Sequence, residues 1–113
     1  MGKLYNLARV NCTTVGTGAL TLTTAVPGYL TFVLAGAASG DIVDYAIKDG
    51  VNSEIGYGVY TVAGGPTYTL TRNVIKSTNS NSPLNLSGAA EVAITPSAET
   101  LNTETNRQNN FLS

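Results

Sequence analysis

The chain has 113 residues, enough for one domain but not for a second full core. Only 12% of the residues are charged and Thr and Gly are abundant. This composition excludes a typical helical bundle and favours an all-β fold, either a small antiparallel β-sandwich or a barrel. The net charge is −1, with Lys and Arg spread singly, so the sequence does not predict a nucleic-acid partner.

The first third of the chain predicts two strands and one ambiguous segment. Leu4 to Val10 is the first predicted strand, and a Thr- and Gly-rich turn follows over 13–18. Ala19 to Thr24 alternates Leu with Thr, which is the period of a half-buried strand. Tyr29 to Leu34 fits either a short strand or a turn of helix, and the sequence leaves both open.

The centre of the chain predicts a β-hairpin. Asp41 to Asp49 forms its first strand, with Tyr45 and Ile47 on one face, and Ser53 to Val62 forms its second. Asp49-Gly50 supplies the turn, because both residue types tolerate positive φ. Alternate residues of the second strand face opposite sides. One side receives Glu54, Gly56, Gly58 and Tyr60, and the other receives Ile55, Tyr57, Val59 and Thr61. The sequence does not say which side is buried.

The last third predicts two further strands separated by a polar loop. Thr67 to Val74 follows a Gly-Gly-Pro connection and would place Tyr68, Leu70 and Arg72 on one face. Ser77 to Pro83 is rich in Asn and Ser, which favours turns. Glu91 to Thr95 is the last predicted strand, before Pro96.

These elements predict a folded domain over residues 1–96 and a polar C-terminal arm over 97–113. The arm contains too few apolar residues to fold alone. It is either a disordered tail or a segment that orders against a neighbouring subunit, with Leu101, Phe111 and Leu112 as the contact residues.

Residue types needed for most enzyme chemistry are missing. The chain has no His, which removes the commonest general base and most zinc sites. No glycine-rich phosphate loop is present. Cys12 stands alone, so neither a disulfide within the chain nor a multi-cysteine metal site is expected. We therefore predict a non-enzymatic protein without a cofactor or metal.

The remaining polar and aromatic residues have structural interpretations. Asp41, Asp44 and Asp49 are interpreted as solubilising or turn-forming carboxylates, because calcium ligands would have to converge from a loop. Glu54 is expected to pair across strands with either Arg72 or Lys48.

The six tyrosines are expected to be mainly packing or subunit contacts. Tyr57 and Tyr60 are the candidates for surface contact. A sugar-binding platform that uses these aromatic faces is the alternative.

No membrane segment is predicted. The most apolar run, over 25–38, is too short to span a bilayer as a helix and is interrupted by Pro27 and Gly28. The N-terminus lacks the pattern of a signal peptide, so synthesis in the cytoplasm is expected.

Three segments resemble a small β-rich domain found in virion proteins of tailed bacteriophages. The first is Tyr45-Ala-Ile-Lys-Asp-Gly-Val-Asn-Ser-Glu-Ile-Gly-Tyr-Gly-Val-Tyr-Thr61, which is similar to a pattern Tyr-Ala-Ile-x-Asp-Gly-x-x-x-Glu-x-Gly-x-Gly-x-Tyr-Thr. The second is Thr69-Leu-Thr-Arg72 with the polar loop after it and Leu84-Asn-Leu-Ser-Gly88. The third is Glu91-Val-Ala-Ile-Thr-Pro96. The resemblance covers roughly residues 5–96, and an aromatic residue commonly stands at the position of Ser53.

The resemblance implies a structural role and brings no catalytic residues. Such domains occur in head decoration proteins and in tail or fibre proteins. A single small domain with an arm favours a capsid decoration, or cement, protein located on the virion. Its expected partners are the major capsid protein or other virion subunits, and it would act as a homo-oligomer, for which a trimer is plausible. A tail, collar or fibre-associated adaptor or tip protein is the alternative, followed by a carbohydrate-binding module.

Overall fold

The computed structural model describes residues 3–64 and 67–95. Within these ranges the chain forms short strands and one single-turn helix. In chain order they are β1 (Arg9–Cys12), β2 (Val15–Gly16), β3 (Leu20–Ala25), α1 (Phe32–Ala35), β4 (Ile42–Asp49), β5 (Asn52–Ala63), β6 (Thr67–Leu70), β7 (Asn73–Ser77), β8 (Leu86–Ser87) and β9 (Ala90–Ile94). The predicted all-β class is confirmed.

Six of these strands close into an antiparallel barrel, which decides between the two predicted architectures. The order around the barrel is β4-β9-β1-β3-β6-β5, and β5 closes the ring by pairing with β4. Strand β7 extends the sheet beyond β6 along the same edge of β5, and β2 pairs separately with β8. Closure removes most of the free strand edges that an open sheet of this size would expose.

The central hairpin forms as the sequence predicts. Asp49 pairs with Asn52 across a two-residue connection, and Gly50 in that connection has a φ of 64°. This positive φ suits glycine, which has no Cβ to clash with the backbone. Tyr45 and Ile47 share the buried face of β4, whereas Ile42 lies on the outer face and is exposed.

The predicted strand over Thr67–Val74 is interrupted in its middle. Leu70 pairs with Tyr60 and Asn73 pairs with Tyr57, so β6 and β7 keep one common register along β5. Between them, the hydroxyl oxygen of Thr71 accepts a hydrogen bond from the Val59 amide at 2.8 Å. A side chain thus replaces a backbone acceptor in the ladder, which separates the two strands.

Two N-terminal expectations are changed by local backbone geometry. The first strand begins at Arg9 and not at Leu4, because Leu7 has a φ of 63°, outside the β region. In the ambiguous segment a turn of helix forms. Thr31 caps it by accepting from the Leu34 amide, and Gly36 ends it with a φ of 111°.

The barrel interior holds the hydrophobic core. Leu20, Leu22 and Leu70 are buried inside it, which confirms the alternation predicted for the Leu/Thr strand. Phe32 of α1 packs on Tyr60 with ring centroids 5.5 Å apart, and both residues belong to the buried core. Cys12 is free and buried in this core.

Candidate functional site

A buried polar cluster lies inside the barrel, built from Tyr45, Glu54 and Arg72. The β4 and β5 alternation directs Tyr45 and Glu54 inward, and Arg72 enters from the interruption between β6 and β7. The side chains of Arg72 and Glu54 are 3% and 0% exposed, and Tyr45 is also 0% exposed. Among the described residues, Glu54 is one of two acidic residues that are 0% exposed, together with Asp44.

Glu54 is the acceptor at the centre of the cluster. Its Oε2 accepts from the Tyr45 hydroxyl at 2.7 Å and from Arg72 Nε at 3.1 Å. Its Oε1 accepts from the Leu84 amide at 2.9 Å and from Arg72 Nη2. Glu54 pairs with Arg72, one of the two partners expected for it, and the pair is buried and bidentate.

Arg72 also holds two loops. Its Nη1 donates to the carbonyls of Gly16 and Gly18 at 3.4 and 3.2 Å, and its Nη2 donates to the carbonyl of Leu84 at 3.0 Å. One guanidinium therefore connects the loop around β2 and the segment before β8 to Glu54 on the barrel wall. Among the described residues, no buried side-chain nitrogen or oxygen lacks a hydrogen-bond partner.

Two glycines of β5 make room for the cluster. A Cβ at Gly56 would lie 2.6 Å from the Tyr45 hydroxyl oxygen, and one at Gly58 would lie 1.9 Å from the Thr71 carbonyl oxygen. Both distances are far below van der Waals contact. The alternating glycines thus let the Tyr45 ring and the Thr71 backbone approach the barrel wall.

The side chains of the cluster are held in fixed protonation states. Burial raises the pKa of the Tyr45 hydroxyl far above its usual value, and donation to Glu54 raises it further. For Arg72, burial opposes the charge, but hydrogen bonding and attraction to Glu54 outweigh it and raise the pKa. The tyrosine and arginine therefore keep their protons and serve as fixed donors, and the arrangement stabilises structure instead of transferring protons.

The hairpin tip is fixed to β8 by Asp49. Its two carboxylate oxygens accept from the amide and the hydroxyl of Ser87 at 2.8 and 2.7 Å. Gly88, the next residue, has a φ of 96°. This carboxylate is therefore a structural acceptor, in agreement with the expectation for a turn-forming residue.

A second carboxylate holds the N-terminal segment. Asp41 accepts from Tyr5 Oη at 2.5 Å, from the Ala38 amide at 2.9 Å and from Lys3 Nζ at 3.0 Å. The bond from Tyr5, followed by those from Ala38 and Lys3, lowers the pKa of Asp41 to about 2. Across the described ranges, no three His, Cys, Asp or Glu side chains are grouped to hold a metal ion.

The two tyrosines predicted as surface contacts lie on opposite sides of the barrel wall. Tyr60 is 1% exposed and packs between Phe32 and the stacked ring of Tyr68, 6.4 Å away. The expectation of surface contact is therefore wrong for Tyr60, because it belongs to the inward alternation of β5. Tyr57 belongs to the outward alternation and is half-buried. The two rings cannot form one sugar-binding platform.

The three predicted arm contacts, Leu101, Phe111 and Leu112, lie outside the described residues. Among the residues that are described, no helix is long and apolar enough to span a membrane. Comparison with protein-family models, with curated proteins and with solved structures gives no match to this chain.

Proposed function

We propose that the chain is a non-enzymatic structural protein of a bacteriophage virion that binds the outer capsid surface as an oligomer. The observation that carries this proposal is the resemblance to the phage-virion domain together with what its residues do in the barrel. Tyr45, Glu54 and Arg72, which form the buried cluster, belong to the resembling segments, and so do Gly56 and Gly58, which make room for the Tyr45 ring and the Thr71 backbone. The shared residues are those that specify this barrel.

Four other residues of the resembling segments have comparable structural roles. Asp49 and Ser87 fasten the hairpin to β8, and Leu84 and Leu86 are buried. A likeness in so many fold-specifying positions supports a shared fold, and the association of that fold with virions supports the structural role.

A non-enzymatic role is supported by the chemistry of the polar groups. The chain contains no His. Glu54 and Arg72 form a buried ion pair. The carboxylates of Asp41 and Asp49 accept hydrogen bonds from neighbouring side chains. Such groups act as structural donors and acceptors that hold loops in place.

The proposed location on the capsid is tested by measuring binding of the chain to particles that lack it. Purified chain would be mixed with capsids from a deletion phage, and bound chain would be separated by sedimentation. Binding with saturation supports the decoration role. Binding to isolated tails and not to capsids would contradict it and favour the tail-associated alternative.

The contribution of the arm is tested with a matched pair of variants. Replacing Leu101, Phe111 and Leu112 together by Ser should weaken capsid binding, because burial of each large apolar side chain stabilises a contact by about 1.5–3 kcal/mol. Each lost contact then weakens binding by about tenfold or more. Replacing Asn102, Asn109 and Asn110 by Ser is the control and should leave binding unchanged. Equal binding by both variants would refute the arm hypothesis.

A further inference from the structure

The outer face of β9 forms the floor of an open groove. Its outward residues are Glu91, Ala93 and Thr95, since Ala90, Val92 and Ile94 are buried. Ala93 pairs with Ala46 of β4 on one side and with Arg9 of β1 on the other. The groove over these three strands is called the β9 groove below.

The walls of the β9 groove are apolar and aromatic at the end where Thr95 lies. Leu7 and Tyr29 line this end and are 61% and 43% exposed. Arg9 crosses the middle, bound to Glu91 at 2.6 Å and placed 5.5 Å from the centre of the Tyr29 ring. Large exposed apolar side chains beside a depression are typical of contact surfaces.

The floor of the β9 groove is formed by small side chains at positions where packing of the core does not require them. Ala46 and Ala93 point away from the core, and alanine is depleted in strands. Both alanines are half-buried on the outer face, so a larger residue at either position would extend into the depression and not into the core. We therefore take the depression between these alanines as a seat for a bulky side chain.

The position at which the described chain ends points to an occupant of the β9 groove. Thr95, the last described residue, lies at the mouth of the β9 groove, and residues 96–113 follow it. That segment contains one pair of adjacent large apolar residues, Phe111 and Leu112. The 15 residues between Thr95 and Phe111 can span up to about 50 Å when extended, which is enough to reach the same groove on a neighbouring barrel. The homo-oligomer of the proposed function supplies that neighbour.

We propose that the β9 groove of one copy receives Phe111 and Leu112 of a second copy. This inference rests on the homo-oligomer in the proposed function and names the surface that forms it. The two side chains would cover Ala46 and Ala93, beside Leu7 and Tyr29. The contact requires no capsid, so it can be tested separately from the virion role.

The test is photo-crosslinking in a mixture of isotopically labelled copies. The full chain carrying Phe111→p-benzoylphenylalanine would be prepared with natural and with heavy isotopes, mixed in equal amounts and irradiated. Mass spectrometry of the digested product identifies the crosslinked peptides. If the contact joins two copies, peptides containing Ala46 or Ala93 are captured and about half of the captured pairs are hybrids of heavy and light chains.

A matched pair of substitutions locates the contact. Ala46→Arg fills the β9 groove from the outer face and should lower hybrid crosslinking by about tenfold or more. Ala63→Arg makes the same change at an exposed position near the end of β5 and should leave it unchanged. Circular dichroism melts of both variants establish that the barrel is intact.

Three results would overturn the proposal. One is capture of groove peptides only within one chain, which would mean that the segment folds over its own barrel. Another is capture of peptides from elsewhere on the surface. The third is equal hybrid crosslinking by the Ala46→Arg and Ala63→Arg variants. Capsid binding is measured independently, so failure of this contact and failure of the virion role give different results.

Discussion

Loss of Arg72 should remove a large part of the stability of the barrel. Arg72→Met keeps a long unbranched side chain but deletes the guanidinium that pairs with Glu54. The carboxylate then stays buried, with the Tyr45 hydroxyl and the Leu84 amide as its remaining donors. Removing one partner of a buried ion pair costs about 3–5 kcal/mol, because the other charge is left uncompensated.

The three carbonyls bound by Arg72 place the expected cost at the upper end of that range. Gly16, Gly18 and Leu84 each lose a hydrogen-bond donor, and only those that reach water regain one. Domains of this size have a free energy of unfolding of about 5–15 kcal/mol. Arg72→Met should therefore lower the urea midpoint strongly and leave the β1–β9 register unchanged in the molecules that fold.

A double variant tests whether the cost comes from the uncompensated charge. Glu54→Leu with Arg72→Met replaces both partners by apolar groups of similar size, so it should be more stable than Arg72→Met alone. Urea unfolding followed by circular dichroism gives the free energy of unfolding of each variant. Arg9→Met is the control, because the Arg9–Glu91 pair is partly exposed and should contribute only about 0–1 kcal/mol. A loss below about 1 kcal/mol for Arg72→Met, or a double variant as unstable as the sum of the two singles, would refute this reasoning.

Three further predictions concern packing and pH. Gly58→Ala should destabilise the barrel more than a typical surface substitution, because the added Cβ would lie 1.9 Å from the carbonyl oxygen of Thr71. The expected result is a lowered midpoint of thermal unfolding. Tyr60→Ala should cost about 3–5 kcal/mol in urea unfolding, whereas Tyr57→Ala, on the outer face, should cost much less. The lowered pKa of Asp41 stabilises the fold at pH values above the unfolded pKa of 3.8, and this contribution is lost as the pH falls through about 2. The difference in stability between the natural chain and Asp41→Asn should therefore shrink between pH 4 and pH 2, and a difference that is constant over this range would contradict the assignment.

Periodicity in the sequence predicted much of the fold because most strands obey a period of two. The Leu/Thr alternation placed Leu20 and Leu22 in the core, and the pattern around Tyr45 placed Ile47 beside it. The choice between sandwich and barrel depended on pairings distant in sequence, such as β4 with β9. Such pairings leave no local pattern in a single sequence.

The candidate site was only partly predictable. The sequence left Arg72 and Lys48 open as partners of Glu54. The burial of the Glu54–Arg72 pair depends on glycines that share the inner face and on a break in the ladder at Thr71. Tyr57 and Tyr60 are three residues apart in one strand and must face opposite sides, so alternation excludes that both lie on one surface but does not tell which of them is buried. The small outward residues Ala46 and Ala93 became informative only when their register was known.

Immunogold labelling of intact virions with an antibody to this chain tests the central proposal most directly. The phage would be one whose genome encodes the chain, and a deletion phage would serve as the control for background. The proposal predicts gold distributed over the heads of the particles. Gold confined to tails or necks, or no labelling above the deletion control, would contradict a decoration protein on the capsid surface.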